Sequence, residues 1–218
     1  MSASPPPVDP PHFGEAFQRQ LVELIRWRRD VRRFRSDPLP EAVVDELLAV
    51  AALAPSVGNS QPWRFVTVDD PERRARVRAI FHEANREALD GYRGERARLY
   101  ASLKLAGLDQ APVHLAVFVD ADPTQGHGLG RRTMPETLPY SAVLAIHTLW
   151  LVARSRGIGL GWISILDPEA MPRALDVEAS WSFVAYLCLG LPEEEHSDPE
   201  LERAGWQARR SAPIRVRR

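Results

Sequence analysis

Apolar residues recur along this chain with two periods, and those periods divide it into helices and strands. Phe17, Leu21, Leu24 and Ile25 follow helical spacing, which predicts a first helix ending near Arg28. Val43, Val44, Leu47, Leu48 and Ala51 mark the inward face of a second helix, with Pro40 in its first turn and Pro55 beyond its end. Trp63 to Val68 then reads as a strand. Residues 71 to 108 are charged and helical in pattern, with a break at Gly91 and Gly94. Val113 to Val119 is a short apolar run of strand character, and Asp120 to Arg132 is a glycine-bearing loop that contains His127. Met134 to Ser155 is apolar on most faces, including Leu144, Ile146, Leu149, Trp150 and Leu151, as expected of a helix in the core or at a subunit interface. Ile158 to Leu166 and Phe183 to Leu189 read as two further strands. The pattern shows no repeat and no linker. It predicts one α+β domain over residues 13 to 210, between a disordered arm (1 to 12) and a basic tail (211 to 218).

Composition narrows the partners. A chain of 218 residues can bury a sizeable core. A net charge of −1 gives no electrostatic reason to expect nucleic acid or a membrane surface as a partner. No apolar run reaches the ~18 residues of a membrane span. Met1 to His12 lacks the positive start and apolar core of a signal peptide, so a cytoplasmic protein is expected. Cys188, the lone cysteine, sits in an apolar run and excludes both an intrachain disulfide and a cysteine-cluster metal site. His12, His82, His114, His127, His147 and His196 have no metal-ligand spacing, and no metal is expected. Asp120 and Asp122 read as a solvated strand end, and Glu193 to Glu195 as a solvated charge run. The glycine triplets at 126, 128, 130 and at 157, 159, 161 lack the dinucleotide-binding spacing. The second leads into a strand, which suits a close backbone approach instead.

Candidate chemistry concentrates in two segments. Residues 28 to 34 place one carboxylate, Asp30, among Arg28, Arg29, Arg32 and Arg33. Guanidiniums present rigid forks of donors that suit a phosphate, and an acid among them could act as a base or as a charge beside the ligand. The arginines could equally just end a helix, where cations complement its dipole. The second segment, Pro55 to Phe65, is a loop in which Ser56, Asn59, Ser60 and Gln61 offer hydroxyls and carboxamides at close intervals. Ser164 stands apart. Its hydroxyl, flanked by Ile163, Ile165 and Leu166 in an expected buried strand, should have a hydrogen-bond partner.

The order Arg28-Arg29-x-x-Arg32-x-Phe34, a helix, then Pro55-Ser56-x-x-Asn59-x-Gln61-Pro62-Trp63-x-Phe65 resembles the FMN-dependent nitroreductase superfamily. Aspartate rather than the commoner serine at position 30, with Gly161-Trp162-Ile163-Ser164-Ile165-Leu166-Asp167-Pro168, is similar to its 5,6-dimethylbenzimidazole synthase family. The resemblance runs from about Phe17 to Arg210. It implies a nitroreductase-like fold, with a central, mostly antiparallel sheet flanked by helices, in a domain-intertwined homodimer. Two flavin sites would form across the dimer interface, for which the helix from Met134 to Ser155 is the candidate.

On matching positions, the resemblance has Arg28 and Arg32 hold the FMN phosphate and ribityl end. Arg29 and Val31 would contribute through backbone or packing, and Ser56, Asn59 and Gln61 would line the site. The stretch from Gly159 to Leu166, with Leu160, Gly161, Ser164, Ile165 and Leu166, would pass along the flavin. Arg209 would reach the phosphate from the C-terminal segment. The implied reaction uses molecular oxygen to fragment reduced FMN into 5,6-dimethylbenzimidazole, the lower ligand of cobalamin, and erythrose 4-phosphate. A separate flavin reductase would supply the reduced FMN. Asp30 would act as acid/base, Ser164 would take part in the oxygen chemistry, and the stretch from Arg86 to Gly107 would form a lid. An NAD(P)H-dependent nitroreductase or quinone reductase, or a non-catalytic flavin-binding protein, would share most of these motifs. A reductive dehalogenase of the iodotyrosine deiodinase type is more distant. The fate of the flavin separates them.

Overall fold

The computed structural model describes residues 9–103, 106–210 and 213–217. In chain order the elements are α1 (Glu15–Trp27), α2 (Glu41–Ala51), a 3₁₀ turn (Val57–Asn59), β1 (Trp63–Thr67), α3 (Pro71–Asp90), α4 (Gly94–Ser102), α5 (Gly107–Gln110), β2 (Val113–Asp120), α6 (Thr137–Ser155), β3 (Gly159–Ile163), α7 (Ala170–Ala174), β4 (Trp181–Gly190) and α8 (Glu200–Arg203). The charged stretch from 71 divides into three helices. Asp70 starts the first by accepting the Glu72 N–H at 2.8 Å, with Pro71 at the first helical position. The expected arm is described only from Asp9, where residues 9 to 12 have no regular structure; the rest of it lies outside the described residues, as does part of the tail.

The four strands form one antiparallel sheet in the order β1-β2-β4-β3. The two central strands are apolar almost continuously because both faces are covered, and alternation sends successive side chains to opposite sides. On one face Leu115, Val117, Leu187 and Leu189 pack against Leu47 and Ala51 of α2 and Ala142, Ala145, Ile146 and Leu149 of α6. On the other face Ala116, Phe118, Tyr186 and Cys188 meet Phe34, Val77, Phe81, Met171 and Leu175. Burial pushes the Cys188 thiol up, which leaves it an inert small hydrophobe.

One expectation needs correction. The strand expected over Ile158 to Leu166 ends at Ile163, so Ser164 lies beyond the ladder and is exposed rather than buried. The long apolar helix α6 is not buried all round. Its core face is closed, while Tyr140, Val143 and Leu144 stay exposed. Its neighbour α1 buries no residue at all, and Phe17, Leu21 and Ile25 form an open apolar stripe at i, i+4 and i+8 spacing.

His114, fully buried on β2, places Nδ1 2.9 Å from the Tyr186 hydroxyl of β4. Burial, with nearby Arg74 adding to it, lowers its pKa to about 4. A histidine held neutral in the fold but free to charge in the unfolded chain stabilises fully above its ordinary value of 6.5 and progressively less as pH falls toward 4. Unfolding titrations across that window are expected to lose about 3 kcal/mol through this group, and His114→Gln to lack that part of the slope. An unchanged slope in the variant would contradict the assignment.

Candidate active site

The arginine segment leaves α1 and runs along the free edge of β3. The Val31 N–H donates to the Leu160 carbonyl at 3.0 Å, and the Trp162 N–H donates to Asp30 Oδ1 at 2.9 Å. The aspartate therefore occupies a place on the sheet edge where a backbone carbonyl would otherwise sit. This approach explains the glycines. A Cβ on Gly161 would overlap the Val31 carbonyl oxygen, and one on Gly159 would come within 2.9 Å of the Val31 side chain. Further on, the Arg35 N–H donates to Leu191 and the Glu193 N–H to Arg33, tying the segment to the end of β4.

Trp150 of α6 fixes the segment from below. Its indole N–H donates to the Arg29 carbonyl at 3.1 Å, and the Arg28 guanidinium lies 4.6 Å over its ring. The outcome is a cavity of about 350 Å³ lined by Arg28, Arg29, Asp30, Arg32 and Arg209, with Pro199, Glu200 and Leu201 closing it. Four of the five arginines named around residue 30 and in the C-terminal segment thus meet at one place. Arg33 turns aside to Glu194 and Glu200.

The electrostatics of this cavity favour an anion. Burial lowers the pKa of Arg28, Asp30 opposes that effect, and Arg209 adds to it. Arg29 is lowered by burial and then by Arg28 and Arg209. The Nε atoms of Arg29 and Arg32 are buried and have no hydrogen-bond partner among the described residues. A phosphate supplies several acceptors to guanidinium edges that line a cavity. Asp30 is raised above its ordinary value, chiefly by the groups packed around it; the Trp162 N–H and Arg32 hold it back, and Glu200 pushes it further. Its side chain still keeps 38% exposure, and it lines the cavity.

The loop at 56–61 lies elsewhere. Ser56 Oγ accepts the Gln61 N–H at 3.0 Å, the Val57 N–H donates to Ser141 Oγ, and Gln125 donates to the Asn59 carbonyl. Asn59 and Gln61 have φ of 53° and 43°, left-handed values that cost non-glycine residues on the order of 1 kcal/mol or more each. Gly126 packs onto Gly58 so tightly that a Cβ would come within 2.7 Å of its carbonyl oxygen. The loop is thus a braced, strained surface that offers the exposed side chains of Asn59 and Gln61, while the Ser56 hydroxyl is used as a staple. Ser60 Oγ, not singled out as a site residue, is the buried hydroxyl left without a partner among the described residues.

Within one chain the loop and the arginine cavity do not meet. Trp63, just after the loop, registers through Val119 with Ser182, whereas Leu160, beside Asp30, registers with Leu189. Seven residues along β4 and the full width of the sheet separate them, roughly 25 Å. Ser164, Ile165 and Leu166 follow the end of β3. Ser164 is exposed and has no hydrogen-bond partner among the described residues, Ile165 is half-buried, and Leu166 is buried in the second core cluster.

Asp120 pairs with Arg64 at 2.8 Å and Asp122 with Arg131 at 2.6 Å, the geometry of a strand end rather than of an acid/base dyad. Glu200 and Trp150 were not legible as site residues, because Glu200 lies far along the chain from Arg32 and Trp150 reads as core. Among the described residues no helix is long and apolar enough to cross a membrane.

Residues 25–191 match the nitroreductase family, and the chain belongs to that family. Within it, the chain is 59% identical over 208 residues to the 5,6-dimethylbenzimidazole synthase of Rhodospirillum rubrum, covering 95% of this chain and 98% of that protein. It is 54% identical to the enzyme of the same name from Rhodobacter capsulatus, over 90% of this chain and 95% of that one. Among solved structures, oxidized iodotyrosine deiodinase bound to FMN and 3-iodo-L-tyrosine superposes with a TM-score of 0.73 at 23% identity, over 91% of this chain and 99% of that one, a likeness of fold.

If the close approach of Val31 sets the site, Gly161→Ala must displace it. The substitution is expected to cost about 3 kcal/mol of stability in denaturant titrations. Wild-type stability in the variant would show that the approach is not a constraint.

Proposed function

We propose that this chain is a 5,6-dimethylbenzimidazole synthase, which uses oxygen to fragment reduced FMN into 5,6-dimethylbenzimidazole and erythrose 4-phosphate. The observation that carries the reading is Asp30, a titratable carboxylate held by the Trp162 N–H on the wall of an arginine-lined cavity. A reductase that returns its flavin intact needs no such group there. The high identity over nearly the whole chain to enzymes of that name supports the same reading.

Arg28, Arg29, Arg32 and Arg209 bind the phosphate from the cavity wall. Reduced FMN supplies both the electrons for oxygen and the ribityl carbon that becomes part of the benzimidazole. Asp30 moves protons at that ribityl carbon, C1′, and its raised pKa brings it nearer to the working pH. Ser164, exposed beyond the end of β3, offers a free hydroxyl to orient the ring system. Leu160 and Gly161 present backbone along it, and Val31 seats the segment.

The reading requires a second copy. One chain cannot bring Ser56, Asn59 and Gln61 to its own arginine cavity, and the open apolar surfaces of α1 and α6 give a partner copy a face to cover. A homodimer supplies that loop in trans. The lid is the stretch that includes α4, whose Tyr100 and the preceding Tyr92 cluster with Trp206, three residues before Arg209. A separate flavin reductase supplies reduced FMN.

The test mixes the protein with FMN, a flavin reductase and NADH, with and without oxygen, and follows products by mass spectrometry. Oxygen-dependent 5,6-dimethylbenzimidazole is expected. Intact FMN with peroxide would favour a conventional reductase or a carrier. Asp30→Asn is expected to lose at least about 10²-fold in product formation while still binding FMN. In the wild type the acid limb of the rate profile should fall above the usual aspartate range, because the base form is lost as pH drops through a raised pKa. Full activity in the variant would remove Asp30 from proton transfer. Arg32→Ala is expected to weaken FMN by about 10-fold or more and riboflavin little, read by flavin fluorescence.

A further inference from the structure

The arginine cavity contains a second carboxylate that proton transfer at C1′ does not use. Glu200, the first residue of α8, is 20% exposed on the cavity wall, with Oε2 3.9 Å from Arg32 Nε and Oε1 3.7 Å from Arg33 Nη1. These are ion-pair distances, too long for hydrogen bonds. Arg32 Nε thus lies between two carboxylates, Asp30 Oδ2 at 3.6 Å and Glu200 Oε2 at 3.9 Å, and hydrogen-bonds to neither. A wall built only to grip a phosphate gains nothing from an anion within it, since the anion repels the incoming charge. What a loosely held carboxylate does provide is a counter-charge for a crowded cationic cluster while no ligand is there. The same short segment, through Pro199, Leu201 and Arg209, closes the cavity.

We propose that Glu200 is a positioning residue that stands in for the phosphate between turnovers and so limits how tightly the cavity holds a phosphorylated ligand. The inference rests on the phosphate reading of the cavity given above. An intact mononucleotide is held at both its ring and its phosphate. The sugar-phosphate fragment left once the ring is removed keeps only the second hold, so its departure depends on how readily the arginines give up phosphate. Glu200 is tethered a few ångströms from Arg32 and Arg33, at high effective concentration, and reclaims them as the fragment leaves.

Glu200→Gln keeps the shape and removes the charge. Affinities for FMN, riboflavin and inorganic phosphate are measured on the purified full chain. The variant is expected to bind FMN and inorganic phosphate about ten-fold tighter, with riboflavin unchanged, and added phosphate should inhibit its steady-state turnover correspondingly more. Glu194→Gln removes an equal charge from the exposed side of Arg33 and is expected to change FMN affinity by less than about two-fold. Glu200→Asp withdraws the carboxylate without deleting it and should tighten FMN by a smaller factor, so the series does not depend on one variant folding. Equal or weaker binding of FMN and phosphate in folded Glu200 variants overturns the proposal. Wild-type protein that binds riboflavin as tightly as FMN overturns the phosphate reading beneath it, which separates the two failures.

Discussion

The free edge of β3 is the constraint on which the site depends. An edge strand exposes backbone donors that must find acceptors, and here the acceptor for Trp162 is the side chain of Asp30 rather than another strand. That one bond fixes the carboxylate, and the adjoining Val31–Leu160 bond fixes the backbone that follows it. Gly159 and Gly161 let the two chains come close enough to form both. The arginines before and after Asp30 are then aimed by the same anchorage, with Trp150 bracing Arg28 and Arg29 from α6. A loop carrying the same residues without that anchorage would spread its charges into solvent.

Charge balance follows from this crowding. Arg28, Arg29 and Arg209 disfavour one another, and burial adds to the penalty, so the cluster favours an anion. Asp30 and Glu200 answer part of the demand from inside the chain, at distances that leave buried Nε donors unused. On the proposed reading, the site is poised between holding its own carboxylates and holding a phosphate. Stability has been given up locally in the left-handed backbone at Asn59 and Gln61, and the packed sheet compensates elsewhere.

Much of the molecule was legible because its signals are local. The helical period of Val43 to Ala51, the apolar run of Val113 to Val119 and the glycine break after residue 90 all reappear as elements with close boundaries. The arginine segment was legible because its residues adjoin in sequence, and its resemblance to a known family brought Arg209 with it. What failed depends on tertiary context. Apolar neighbours around Ser164 suggested a buried strand, but β3 ends one residue earlier and leaves the serine exposed. Periodicity found α6 but could not say that Tyr140, Val143 and Leu144 would stay open while Ala142, Ala145 and Ile146 were buried. Glu200 gave no sign at all, since a carboxylate in an acidic stretch becomes part of a cation site only when the chain folds back. The separation of the two candidate segments to opposite corners of the sheet likewise follows from strand order, which motif spacing does not encode.

The most direct test of this account is a crystal structure of the protein with FMN bound. The phosphate is expected in the cavity between Arg28, Arg32 and Arg209, with the ribityl C1′ beside Asp30 and the 56–61 loop of a second copy against the flavin. A phosphate seated elsewhere, or a ribityl chain out of reach of Asp30, would contradict the claim that the β3 edge builds the catalytic site.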